Sequence, residues 1–190
     1  MKKLLFVIIC LFCFQNVYSL NLNEQIAVLV SFNDSIPIYL VLDDTIINVK
    51  NKTSKFDYQK MKKRFSTKKG VAAHYENGYV TIRYYKGASK QFLLSLYIHE
   101  RQHYLNQHTY TWYKHFACVS KEELWLLIGK FCSHPEHYKN QGHYSMADEF
   151  IAFIVEDAYK RNISVIECCK LHNITNEKII KALSYIPKTK

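Results

Sequence analysis

The stretch Phe92-Leu93-Leu94-Ser95-Leu96-Tyr97-Ile98-His99-Glu100-Arg101-Gln102-His103 decides how the rest of this chain is read. It contains no Pro or Gly, and its apolar residues fall on more than one side of a helical wheel. That pattern predicts a helix over Ser89 to His108, buried in the centre of a domain. Residues four apart on a helix stand one above the other, so the imidazoles of His99 and His103 can reach one ion. Zinc takes such nitrogens in tetrahedral sites and, where it is catalytic, keeps one position open for water. Glu100, directly after the first histidine, projects towards that position, where a carboxylate can take a proton from attacking water.

Upstream of this helix the chain reads as strands. Gln25 to Phe32 and Ile36 to Val49 are rich in Val, Ile and Leu, with turn chemistry at Asn33-Asp34-Ser35 between them. Val71 to Tyr75 and Tyr79 to Tyr85 flank Glu76-Asn77-Gly78, and Asn-Gly between β-prone runs signals a hairpin because both residues tolerate positive φ. Downstream the chain reads as helices. Ser120 and Glu123 form a capping box before Leu124 to Phe131, and Ser164 and Glu167 form another. Ser145 and Asp148 read as a weaker cap before Glu149 to Tyr159, and Thr175 as the cap of Asn176 to Tyr185. The expected class is α+β: an N-terminal antiparallel or mixed sheet packed on the central helix, then a helical half.

Residues 1–19 are expected to lie outside that fold. Lys2 and Lys3 precede the apolar run Leu4 to Phe14, and Val17-Tyr18-Ser19 reads as a cleavage site. This is the pattern of a secretory signal peptide, and its core is too short to span a bilayer. A secreted or periplasmic protein with one domain over 20–190 is the expectation. Without Lys2 and Lys3 the 26 basic residues become 24, against 16 acidic. The stretch Lys50 to Lys69 holds nine of them and one acid, Asp57, so the excess charge is local and could meet an anionic surface. The last two helices faintly resemble a helix-turn-helix, but a secretory leader makes nucleic acid an unexpected partner. Cys118, Cys132, Cys168 and Cys169 lie beyond the leader. In an oxidising compartment they permit three full pairings, among them Cys118 with Cys132 across one helix.

The His99-Glu100-Arg101-Gln102-His103 pattern resembles the zincin metallopeptidases, although Arg101 stands where their extended signature favours an uncharged residue. In that family a mixed sheet packs on the helix bearing the motif, and the strand before it binds extended substrate. The resemblance assigns that role to the strand of Tyr79, Thr81 and Arg83. It also demands a third protein ligand for zinc. In the metzincin branch that ligand would fall on Thr109, with His108 one residue early and no glycine turn between. In the gluzincin branch it is a glutamate on a later helix, often three residues before an alanine. Ala147-Asp148-Glu149-Phe150-Ile151-Ala152 resembles that pattern and implies Glu149, as in the small members of the branch. The resemblance covers about Val71 to Lys160.

Between the two metal-bearing segments lie His137, Tyr138, His143 and Tyr144, any of which could steady the oxyanion of a tetrahedral intermediate. His134 and His137 could instead form an auxiliary metal site. His74, His115 and His172 read as ordinary, and Glu156 and Asp157 as partners of the ligands or as the polar side of their helix. The leading expectation is a zinc-dependent hydrolase of peptide or protein substrates. The alternatives are a secreted basic binding or toxin-like protein of the same fold without turnover, and a zinc amidohydrolase of envelope polymers.

Overall fold

The computed structural model describes residues 20–32, 35–43, 45–49, 72–76 and 78–186. The expected leader at 1–19, the Lys50 to Lys69 stretch, Asn33, Asp34 and Asn77 of the two turns, and Pro187 onwards lie outside the described residues. The chain is α+β. Its elements run α1 (Leu22–Val30), β1 (Ile38–Val41), β2 (Ile46–Asn48), β3 (Ala73–Glu76), β4 (Tyr79–Arg83), α2 (Lys90–His108), α3 (Tyr113–Phe116), α4 (Lys121–Ile128), α5 (His143–Arg161), α6 (Val165–Leu171) and α7 (Glu177–Leu183). Two 3₁₀ turns, Tyr110–Trp112 and Pro135–Tyr138, join helices. No described helix is long and apolar enough to cross a membrane.

The first predicted strand is a helix. Asn21 caps α1 and Glu24 reaches back to it in a capping box, which nucleates a helix ahead of the β-branched run that reads as a strand. Buried Gln25 then ties α1 to the turn after β4, donating from Nε2 to the carbonyls of Leu20 (3.0 Å) and Tyr85 (2.8 Å). The predicted second strand is a hairpin of two, β1 and β2. The β3–β4 hairpin forms as its turn chemistry predicts, with Gly78 at φ +85°. The four strands make one mixed sheet in the order β2-β1-β4-β3, in which β1 and β4 run parallel.

Ser89 caps α2, its hydroxyl accepting from the Phe92 N–H at 3.1 Å. The helix lies between two cores. Leu93 and Tyr97 pack with β1, β3 and β4 and with Leu29 of α1. Ile98 packs with Trp112, Phe116 and the inner faces of α4, α5, α6 and α7. The Ser120 and Ser164 caps stand where the sequence places them, whereas Asn176, not Thr175, caps α7. α5 starts at His143 with Gly142 as its cap, so Ser145 lies inside the helix and bonds Gln141. All four described cysteines are free thiols, so the Cys118–Cys132 bridge does not form.

Glu149, Ala152 and Glu156 share one face of α5, three and four residues apart. Because Glu149 and Glu156 both reach His99 of α2, the fully buried Ala152 between them sits where the two helices meet. Ala152→Leu should therefore lower stability by about 1–3 kcal/mol through overpacking. It should also weaken metal binding, and urea unfolding read beside metal titration checks both.

Candidate metal centre

Along α2 the polar residues Ser95, His99, Gln102, His103 and Asn106 recur at helical spacing and turn towards α5. The Nε2 atoms of His99 and His103 stand 3.5 Å and 3.8 Å from the same Glu149 oxygen, Oε2. The ligand-type atoms of these three residues all lie within 4.8 Å of one another, a group that could hold a metal ion. Neighbouring donors around a tetrahedral ion with bonds of about 2.1 Å are about 3.4 Å apart, close to what these side chains present. The three residues are therefore brought together as expected. His108 is not among them, since its Nδ1 bonds the Tyr104 carbonyl at 2.8 Å on the exposed end of α2.

The other nitrogen of each imidazole is held by a carboxylate. His99 Nδ1 meets Glu156 Oε2 at 2.9 Å, and His103 Nδ1 meets Asp148 Oδ2 at 2.7 Å. Such partners set the tautomer, leaving Nε2 as the metal-facing donor, and orient the ring. Asp148 is in turn fixed by Asn106 Nδ2 at 2.6 Å, and Asn106 by Gln102 at 2.8 Å. Ser95 and Lys160 fix Glu156. Asp148 is thus no helix cap: α5 begins before Ser145, and the earlier start turns the carboxylate to His103. Glu156 is a partner of His99, while Asp157 faces away to Arg161, Cys168 and His172.

These contacts set the charges. Burial opposes charge on His99, yet Glu149, Glu156 and the nearby Glu100 hold its pKa up to about 10. His103 is likewise raised against burial, chiefly by Asp148. Glu149 is lowered despite burial, by its contact with His99 and by His103. Glu100 is raised by burial, which outweighs the two imidazoles and the Tyr75 backbone amide.

The residues open on a cleft of about 560 Å³ walled by Ala73, His74 and Tyr75 of β3, by α2, by His137 and Tyr138, and by α5. Of the four proposed oxyanion partners only His137 and Tyr138 line it. Tyr138 is half-buried against Phe153, and burial, then Glu149, raises its pKa, so it keeps its proton. His143 spends both nitrogens elsewhere, on the Tyr113 hydroxyl (3.1 Å) and the Val119 carbonyl (2.6 Å). Tyr144 packs on Trp112 and Tyr113 within the helical core. His134 stacks on His137 at the surface and bonds Glu136, and the pair belongs to no metal-type cluster among the described residues.

The substrate strand also moves. Tyr79, Thr81 and Arg83 lie on β4, which is paired on both sides, to β1 and to β3. Substrate cannot add to a strand so enclosed, and Thr81 is itself buried, bonding the His74 carbonyl. The outer strand of the described sheet beside the cleft is β3. Sequence reasoning missed Asp148, Asn106 and Gln102 as supports. Gln102 and Asn106 were legible as polar residues one turn apart on the helix of His99 and His103, whereas Asp148 reads as a cap.

Comparison of the chain with models of known protein families, with curated proteins and with solved structures finds no match.

Two outcomes are expected of metal titrations. Asp148→Ala should weaken binding by about 10–100-fold, the usual effect of losing the partner of a ligating histidine. Binding must also displace at least the His99 proton, so affinity should rise at least tenfold per pH unit between about pH 6 and about pH 8, below that residue's raised pKa. Competition with a chelator across that range measures it, and a flat profile would contradict the charge assignment.

Proposed function

We propose that this chain is a zinc-dependent peptidase of the zincin type, closest to the gluzincin branch, acting on secreted or periplasmic peptide or protein. One observation carries the reading: His99, His103 and Glu149 converge on one point of a cleft, each imidazole is backed by a carboxylate, and Glu100 lines the same cleft. The donors are two nitrogens and an oxygen, the set found in catalytic zinc sites with a fourth position left open. Zinc held there would supply a Lewis acid that acidifies water and polarises a carbonyl.

The remaining steps belong to the chain's own groups. An extended peptide adds to the outer strand β3, whose Ala73, His74 and Tyr75 border the cleft. Glu100 takes the proton of the attacking water and passes it to the departing amine. Tyr138, protonated at neutral pH, donates a hydrogen bond to the oxyanion as the carbonyl carbon becomes tetrahedral. The leader at 1–19 supports export. The Lys50 to Lys69 stretch supports a tether to an anionic surface, screened by salt.

A peptide-library digest beside metal analysis tests the reading. Glu100→Gln should keep near-stoichiometric zinc and lose two or more orders of magnitude in turnover, on the scale of a lost general base. His99→Ala, His103→Ala and Glu149→Ala should lose zinc and turnover together. Tyr138→Phe should lower kcat by about 10²–10³-fold with zinc unchanged. Wild-type turnover in Glu100→Gln would sink the mechanism. Metal without hydrolysis, and anionic-matrix retention lost on neutralising Lys60, Lys62, Lys63 and Arg64, would favour the binding-protein alternative. Hydrolysis confined to envelope-polymer amides would favour the amidohydrolase.

A further inference from the structure

A second group of metal-type donors lies on the same helix, away from the cleft. Asp157 is eight residues beyond Glu149, about 12 Å further along α5. The chain leaves α5 at Asn162, whose left-handed backbone (φ 54°) turns it back, and the Ser164 capping box starts α6. That return brings Cys168 and His172, four residues apart, against Asp157. His172 Nε2 stands 2.8 Å from Asp157 Oδ2, Cys168 Sγ stands 3.4 Å from the same oxygen, and all three donor atoms lie within 4.8 Å of one another.

We propose that Asp157, Cys168 and His172 form a second metal site, for zinc or another thiophilic divalent ion, that cross-links α6 to the end of α5. The donor set differs from the first site by its sulfur, which selects softer first-row metals. As a plain hydrogen-bond network the arrangement is poor, because a thiol is a weak donor and Cys168 is fully buried beside a carboxylate. The rings and charges around it are compatible with an ion. Phe131 packs on the His172 ring at 4.5 Å and fixes it. A cavity of about 250 Å³ reaches Asp157 and His172 and gives an ion a path. Its lysines are already engaged, Lys130 on the His172 carbonyl and Lys160 on Glu156. Arg161 Nε meets Asp157 at Oδ2, so Oδ1 can take that contact when Oδ2 turns to the ion. Binding breaks the Cys168 S–H bond and releases its proton to water as the sulfur–metal bond forms, and the proton that His172 Nε2 donates to Asp157 moves through water to Nδ1. No oxidant is involved. The site is independent of the peptidase reading.

Cobalt(II) titration of the purified chain tests it, because only a thiolate ligand gives a near-ultraviolet sulfur-to-cobalt charge-transfer band and the first site has no sulfur. The wild type should bind two equivalents and show the band. Cys168→Ala should bind one and lose the band, and His172→Gln should weaken the same step at least tenfold. The His99→Ala/His103→Ala double variant should bind one equivalent, keep the band, and gain several degrees in Tm with cobalt. The last measurement stands even if the Cys168 variant fails to fold. A wild type that binds a single equivalent without the band, a band that survives Cys168→Ala, or no band and no Tm gain in the double variant would overturn the proposal.

Discussion

Two imidazole–carboxylate pairs, His99 with Glu156 and His103 with Asp148, hold α2 against α5, and the placement of the candidate centre follows from that contact. Glu100, Asp148, Glu149 and Glu156 are all largely withdrawn from water around two histidines. Charges so placed cost several kcal/mol each unless they are matched. Lys160 matches one of them. Three remain, and positive charge can be brought to them in two ways: by protons on the imidazoles, or by a dication between neutral imidazoles. The carboxylates accordingly hold His99 up to about 10 and raise His103. A divalent ion that displaces such protons meets the same carboxylates, so the cluster is electrostatically suited to either state.

That polar seam is tolerated because α2 is supported on its other sides. Leu93 and Tyr97 are sealed into the core beneath the sheet, and Ile98 into the core of the helical half. A helix with one apolar stripe would leave its histidines in solvent; this one has apolar residues on two flanks and gathers Ser95, His99, His103 and Asn106 in the seam between them. Burial also makes each support matter more, since hydrogen bonds and charge pairs strengthen where water is excluded. Asn106 illustrates the linkage. Its side chain orients Asp148, while its carbonyl accepts from the Trp112 indole at 2.7 Å, tying α2 to the helical core.

What the sequence disclosed was mostly local. The His99–His103 spacing, the caps at Ser120 and Ser164 and the hairpin at Gly78 are each decided within a few residues, and each stands. The misreadings have physical causes. Gln25 to Phe32 carries β-branched residues, but the capping box at Asn21 and a tertiary role for Gln25 outweigh weak β propensity. Asp148 passes for a cap because Ser145 precedes it by three; the helix begins earlier, which turns that carboxylate to His103. The substrate strand was misplaced because β1 pairs in parallel with β4, a non-local choice that encloses β4 and leaves β3 outermost. Glu149 was legible only through a resemblance, since nothing within α5 separates it from Asp148.

The two glutamates facing the cleft are driven apart by where they sit. Glu149 is lowered because both imidazoles lie beside it, so it stays anionic and suited to hold an ion. Glu100 follows His99 by one residue and is rotated about 100° from it. It therefore leaves the seam of histidines and meets β3, where burial raises it and only the more distant imidazoles and the Tyr75 amide pull the other way. A carboxylate so raised accepts a proton more readily than one locked to a cation, which is what a general base requires. Carboxylates in one cleft with opposite shifts divide their roles by environment rather than by identity. Glu100 owes its side of that division to a single residue of helical rotation from His99, and Glu149 its own to where α5 meets α2.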